Sequence, residues 1–147
     1  MQEALLVWHA AVTLVLVGLI LTIQIVHYPL FAKVGAAEFP AYEAAHSIRI
    51  TVLVMPLMGI ELLLAAVLAF FTPPAIPPWS AWTGLALVVA IWLSTFFLQV
   101  PQHAILGRGW DAQAHASLIA TNWVRTIAWT LRGGLAVWWV FALVTRD

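Results

Sequence analysis

Residues 47–71 read SIRITVLVMPLMGIELLLAAVLAFF and run directly into TPPAIPPW at 72–79. The first string is long enough to cross the hydrocarbon layer of a bilayer as a helix, which takes about 20 mainly apolar residues. The second carries Pro73, Pro74, Pro77 and Pro78 and cannot continue a helix, so it closes a hairpin with the next apolar run. Working outward, further apolar runs lie at about 4–26, 80–100 and 118–144. Lipid offers no partner to backbone N–H and C=O groups, so helix is the state such runs take, and the period-2 alternation of a barrel is missing. The expected fold is therefore all-α: a four-transmembrane-helix bundle forming a single membrane domain over 1–147, with both termini on one side. The Pro-rich turn and the termini share side A, while the longer connections, about 27–46 and 101–117, emerge on side B.

Composition agrees, with 64% apolar and 8% charged residues against about a quarter charged in a soluble domain. Six basic and six acidic residues cancel, which argues against nucleic acid as a partner and against a polybasic lipid-binding tail. Cysteine is absent, so any metal must be held by His, Asp or Glu. The first segment opens with Glu3, runs long and has no small-residue cleavage site, so it is expected to be retained rather than removed as a signal peptide. Trp8, Trp79, Trp82, Trp138 and Trp139 on side A, and Tyr28, Trp110 and Trp123 on side B, read as interfacial belts. Lys33, Arg49, Arg108 and Arg125 on side B outweigh Arg146 on side A, which points to a multi-pass plasma-membrane protein with side B cytoplasmic.

Ionisable residues inside a membrane are expensive and so carry the functional information. Helical-wheel positions put His9 and His27 on one line of the first helix and give each of the other helices one polar face, which the bundle would turn inward. Glu61 and Arg132 fall at about the same depth and are expected to pair, as a structural lock between the second and fourth helices or as a relay step. Toward side B gather His27, His46, His103 and His115, candidate acid–base groups or metal ligands, with Glu43 and Asp111 as carboxylate ligands. Glu43-Ala-Ala-His46 has the i,i+3 spacing of carboxylate-bridged di-metal bundles, and Asp111 and His115 repeat it at i,i+4. That inventory suits iron, copper, manganese or zinc, or haem b between two of the histidines; the bland alternative is interfacial histidines bonded to backbone or headgroups. Arg49 and Arg125 would repel a bare cation and suit an anion, with Gln99, Gln102 and Asn122 as neutral donors.

The strings QIVHYPLF at 24–31, YEAAHSIR at 42–49, WLSTFFLQVPQH at 92–103 and TNWVRTIAW at 121–129 resemble a widespread group of small bacterial four-helix membrane proteins, which implies the fold and no particular activity. More distantly, Pro101 with Gln102 and His103 beside it, then Leu106, Trp123 and Arg125, is similar to the anthrone-oxygenase-like family. Where that family favours Asn near the proline, this chain has Gln102 and His103. The second resemblance implies oxygen chemistry on an aromatic or polyketide substrate.

The leading expectation is a membrane-embedded oxidoreductase or oxygenase acting at side B on a lipophilic, partly anionic small molecule. The alternatives are a small non-enzymatic transporter or ligand-binding membrane module, or an accessory subunit of a larger membrane partner. Besides the lipid bilayer, a homo-oligomer is a candidate partner, since Gly18, Gly59, Gly84, Gly133 and Gly134 would allow close helix contacts.

Overall fold

Apolar residues occupy every side of these helices, and that decides where they can live. In the computed structural model, which describes residues 2–145, Val52, Leu63, Phe71 and Phe97 expose 72%, 68%, 71% and 72% of their surface. A bundle apolar both inside and out belongs in lipid. Four helices are long and apolar enough to span: α1 (Glu3–Lys33), α2 (Phe39–Phe70), α3 (Pro78–Leu106) and α4 (Ala112–Val144). α1 packs on α2 and α4, and α3 on α2 and α4, giving a ring in chain order. The chain is a multi-pass membrane bundle, and an even number of passes returns both ends to side A. Arg146, assigned to side A in the charge comparison, lies outside the described residues.

The side B connections are shorter than the sequence suggests. The expected starts at about 47 and 118 move to Phe39 and Ala112, and α3 continues past 100 to Leu106. Polar residues at 27–46 and 101–117 read as loop because they are not lipid-compatible, yet Glu43, His46, His103 and His115 turn into the bundle and stay helical, leaving only 34–38 and 107–111 as connections. Asp111 illustrates the boundary. Its carboxylate accepts from the Ala114 backbone N–H at 2.8 Å, capping α4 by satisfying one of the donors left free at a helix start.

Two π-helical turns interrupt the spans, Ile23–His27 in α1 and Thr95–Gln99 in α3. Each ends just before a proline, Pro29 and Pro101. Proline has no N–H and its ring crowds the carbonyl four residues back; a widened turn accommodates both. The extra residue in the turn also rotates the remainder of the helix. His9 and His27 therefore do not share a line: His9 is buried against α4, while His27 sits at the cleft between α1 and α2.

Three apolar clusters stack along the axis. Leu6, Leu68, Ala81 and Trp139 fill side A, Leu16, Met58, Ile91 and Trp129 the middle, and Phe31, Phe39, Leu106 and Leu118 side B. Two expected belt residues belong to this interior instead. Trp139 donates Nε1–H to Ser80 Oγ at 3.0 Å, and Tyr28 is 3% exposed.

Candidate functional site

The polar interior divides into two networks. The deeper one ties all four helices together at one carboxylate. Glu61 Oε1 accepts from Arg132 Nε at 2.9 Å and Thr13 Oγ1 at 3.1 Å, while Oε2 accepts from Trp129 Nε1 at 3.0 Å. The two terminal nitrogens of Arg132 donate to the Gly84 carbonyl and to His9 Nε2, the latter at 2.8 Å. Guanidinium has only donors, so His9 must carry its proton on Nδ1. A Cβ on Gly84 would meet the Trp139 ring at 2.9 Å, and only glycine lets α3 come this close. Glu61 and Arg132 are each 1% exposed, the case in which charge is tolerated only with full pairing.

Toward side B, α1, α2 and α3 bring Tyr28, Glu43 and His103 into a chain. Glu43 Oε1 accepts from His103 Nδ1 at 2.6 Å and from Ser47 Oγ at 2.9 Å; Tyr28 OH lies 3.0 Å from His103 Nε2. A carboxylate can only accept here, so the imidazole proton sits on Nδ1 and Nε2 is left to receive the phenol proton. The result is a carboxylate–imidazole–phenol relay. Beside it, His27 Nε2 and His46 Nδ1 are hydrogen-bonded at 2.9 Å, and the His46 ring stacks on His103 with centroids 5.5 Å apart. Glu43 Oε2 and His46 Nε2 are buried without a hydrogen-bond partner.

The relay opens onto a cavity of about 460 Å³ between α2 and α3. Its walls are apolar, with Ile23, Val54, Met55, Met58 and Phe96; its polar end holds Tyr28, His103, Gln99 and Arg125. Arg125 is the exceptional member. It is 6% exposed, its Nε has no hydrogen-bond partner, and among the described residues neither of the two ion pairs includes it. The Trp129 ring lies 5.3 Å from the guanidinium carbon, a favourable but weak contact of about 1–2 kcal/mol. A buried cation without a counter-ion destabilises the empty protein. Replacing it, Arg125→Met, is expected to raise the melting temperature of the ligand-free protein, by stability on the order of 1–3 kcal/mol, in a thermal-shift measurement. Arg132→Met should lower it.

The other expected site residues lie elsewhere or, like Gln99, serve mainly to hold the helices. Arg49 is exposed and lines a different cleft, between α1 and α2, so it makes no fork with Arg125. Gln102 and Asp111 face a shallow depression outside the bundle, and Asp111 is occupied as a helix cap. His115 Nε2 donates to the Tyr28 carbonyl at 2.8 Å while its ring stacks on Phe31, so it braces α1 against α4. Asn122 donates to Gln24 Oε1 at 2.7 Å, and Gln99 donates to Thr121 Oγ1 at 3.2 Å and accepts from Ser94 at 3.0 Å; these amides chiefly clamp helices.

The expected metal set does not fit this geometry. Among the described residues no three His, Asp or Glu side chains are grouped to hold a metal ion. His27 faces His46 and Glu43 faces His103, while Asp111 and His115 bond to backbone groups, so the donor atoms do not converge on a common point. Nor is there a slot for haem between the histidines that converge, because His27 is hydrogen-bonded to His46 and His46 stacks on His103. Position alone puts Tyr28 in an interfacial belt and so hides the terminal hydroxyl of the relay. Its place between His27 and Pro29, four residues after Gln24, is the signal that could have found it.

No protein-family model, no curated protein and no solved structure matches this chain.

Proposed function

We propose that this protein is a membrane-embedded enzyme that takes a lipophilic, weakly acidic molecule from the bilayer, removes a proton from it and directs the resulting anion into oxidation by dioxygen. The observation that carries this reading is the relay of Tyr28, His103 and Glu43 at the polar end of a lipid-accessible apolar cavity, with Arg125 beside it lacking a counter-ion. A substrate with an apolar body would occupy the walls. Its acidic C–H or O–H would lie at Tyr28, which passes its own proton to His103 Nε2 as it receives the substrate's. Glu43 holds the imidazole in the accepting tautomer and stabilises the imidazolium that forms. Arg125 would stabilise the enolate or phenolate left behind. The resemblance to the anthrone-oxygenase-like family read from Pro101, His103, Leu106, Trp123 and Arg125 implies the same substrate class.

Anthrone is a suitable probe, being apolar, weakly acidic at its benzylic carbon, and convertible by one dioxygen to anthraquinone and water. Wild-type protein in nanodiscs is expected to accelerate anthraquinone formation in air and, under nitrogen, the exchange of the benzylic hydrogens for deuterium. Exchange without oxidation would keep the proton-transfer step and remove the oxygenase assignment. Neither acceleration would sink both.

A further inference from the structure

A second cleft lies on the outer face of the bundle, between α1 and α2, separated from the cavity between α2 and α3 by Ile23 and Ile50, which line both. It has two contiguous parts. A deep part of about 470 Å³ is walled by residues such as Leu14, Val15 and Val26 around Gly18; a part of about 300 Å³ nearer side B is lined by Tyr42, His46 and Arg49. His27 and Ile50 line both. Thr22 turns its hydroxyl back to the Gly18 carbonyl at 2.9 Å, which leaves the deep wall effectively apolar. The floor at Gly18 is open, since a Cβ there would meet nothing within 4 Å.

Arg49 supplies the charge. It is exposed on the membrane-facing surface, and among the described residues it takes part in neither ion pair. α2 has 32 residues, about 48 Å at 1.5 Å each, against a hydrocarbon layer of about 30 Å. Centred in it, Arg49 starts about 6 Å below the hydrocarbon edge, within reach of the phosphate level by extending its side chain. The cleft contains no carboxylate, so its net charge is positive. Among the described residues the exposed acidic side chains, Glu3, Glu38 and Asp111, sit at helix ends and loops, so none of them on a second copy lies at the depth of the Arg49 backbone.

We propose that this cleft is a binding site for one anionic glycerophospholipid, with an acyl chain along the open face at Gly18 and the headgroup phosphate on Arg49, His27 and Tyr42. A lipid of net charge −1 neutralises the cleft, whereas a zwitterionic one leaves it positive. The site does not rest on the proposed catalysis, since neither Tyr28 nor His103 lines it.

Native mass spectrometry of the purified protein with palmitoyl-oleoyl-phosphatidylglycerol or the matching phosphatidylcholine tests this. Wild-type protein should retain the phosphatidylglycerol about fivefold better, the preference expected from one interfacial arginine. Arg49→Gln should abolish that preference. Gly18→Leu, which fills the open floor, should weaken retention of both lipids, and Arg108→Gln, an exposed side B cation off the cleft, should change nothing. Equal retention of the two lipids by wild type overturns the proposal, as does an Arg49→Gln protein that still prefers phosphatidylglycerol. A lipid-free dimer that Arg49→Gln dissociates would overturn it in favour of self-association. Arg49 is exposed, so its replacement reads the headgroup contact even should Gly18→Leu fold poorly.

Discussion

Glu61→Leu is expected to leave little folded, monodisperse protein on size-exclusion chromatography, with a loss of about 3–5 kcal/mol against a total stability of roughly 5–15 kcal/mol for a domain. The reason is the charge left behind. With Glu61 gone, Arg132 keeps only the Gly84 carbonyl and His9, neither of which neutralises a guanidinium in the middle of a membrane. Trp129 and Thr13 also lose their acceptor, at about 1 kcal/mol each. The double variant Glu61→Leu with Arg132→Met removes both charges together and should recover most of the folded protein, falling short by the unpartnered Trp129, Thr13 and His9 groups. Glu61→Gln separates a lock from a relay. A lock predicts marked destabilisation, because the amide hydrogen-bonds but carries no charge. Normal folding with lost activity would assign Glu61 to proton or ion movement.

The two buried arginines show how far sequence carries such an argument. Span number, chain ends and the pairing of Glu61 with Arg132 at one depth are all legible, since they rest on run length and on a rise per residue that lipid enforces. Rotation is not. Each proline-linked π turn, at Ile23–His27 and Thr95–Gln99, widens its helix by one residue and displaces every later side chain from its wheel position. That displacement turns Tyr28 inward and places His27 at the outer cleft. Nor does composition distinguish an arginine with a partner from one without: Arg49, Arg125 and Arg132 read alike in the sequence. In the structure one faces lipid, one lines a cavity alone, and one is fully paired. Asp111 fails as a ligand for a local reason. An acidic residue directly before a helix satisfies the first free N–H groups more readily than it reaches a site about a turn away.

Tyr28→Phe is expected to reduce the turnover number on anthrone by 10²–10⁴-fold, the usual contribution of a positioned acid–base group, while the concentration for half-maximal rate changes little. Phenylalanine keeps the ring that packs against Phe31 with centroids 5.4 Å apart, so the cavity retains its shape. Only the hydroxyl facing His103 is lost. Glu43→Gln is a subtler test of the same chain. The amide preserves volume and can still bond Ser47 and His103, but presented through its NH₂ it would hold the imidazole in the wrong tautomer and would no longer stabilise an imidazolium. A fall in turnover comparable with that of Tyr28→Phe, and no further fall in the double variant, would show the two acting as one unit, because groups in a single relay do not contribute additively. Additive losses would place Glu43 in a separate structural role through Ser47. Were Tyr28→Phe to weaken anthrone binding and turnover by the same factor, the hydroxyl would be a ligand contact only. The cavity would then belong to a binding or transport module rather than to an enzyme.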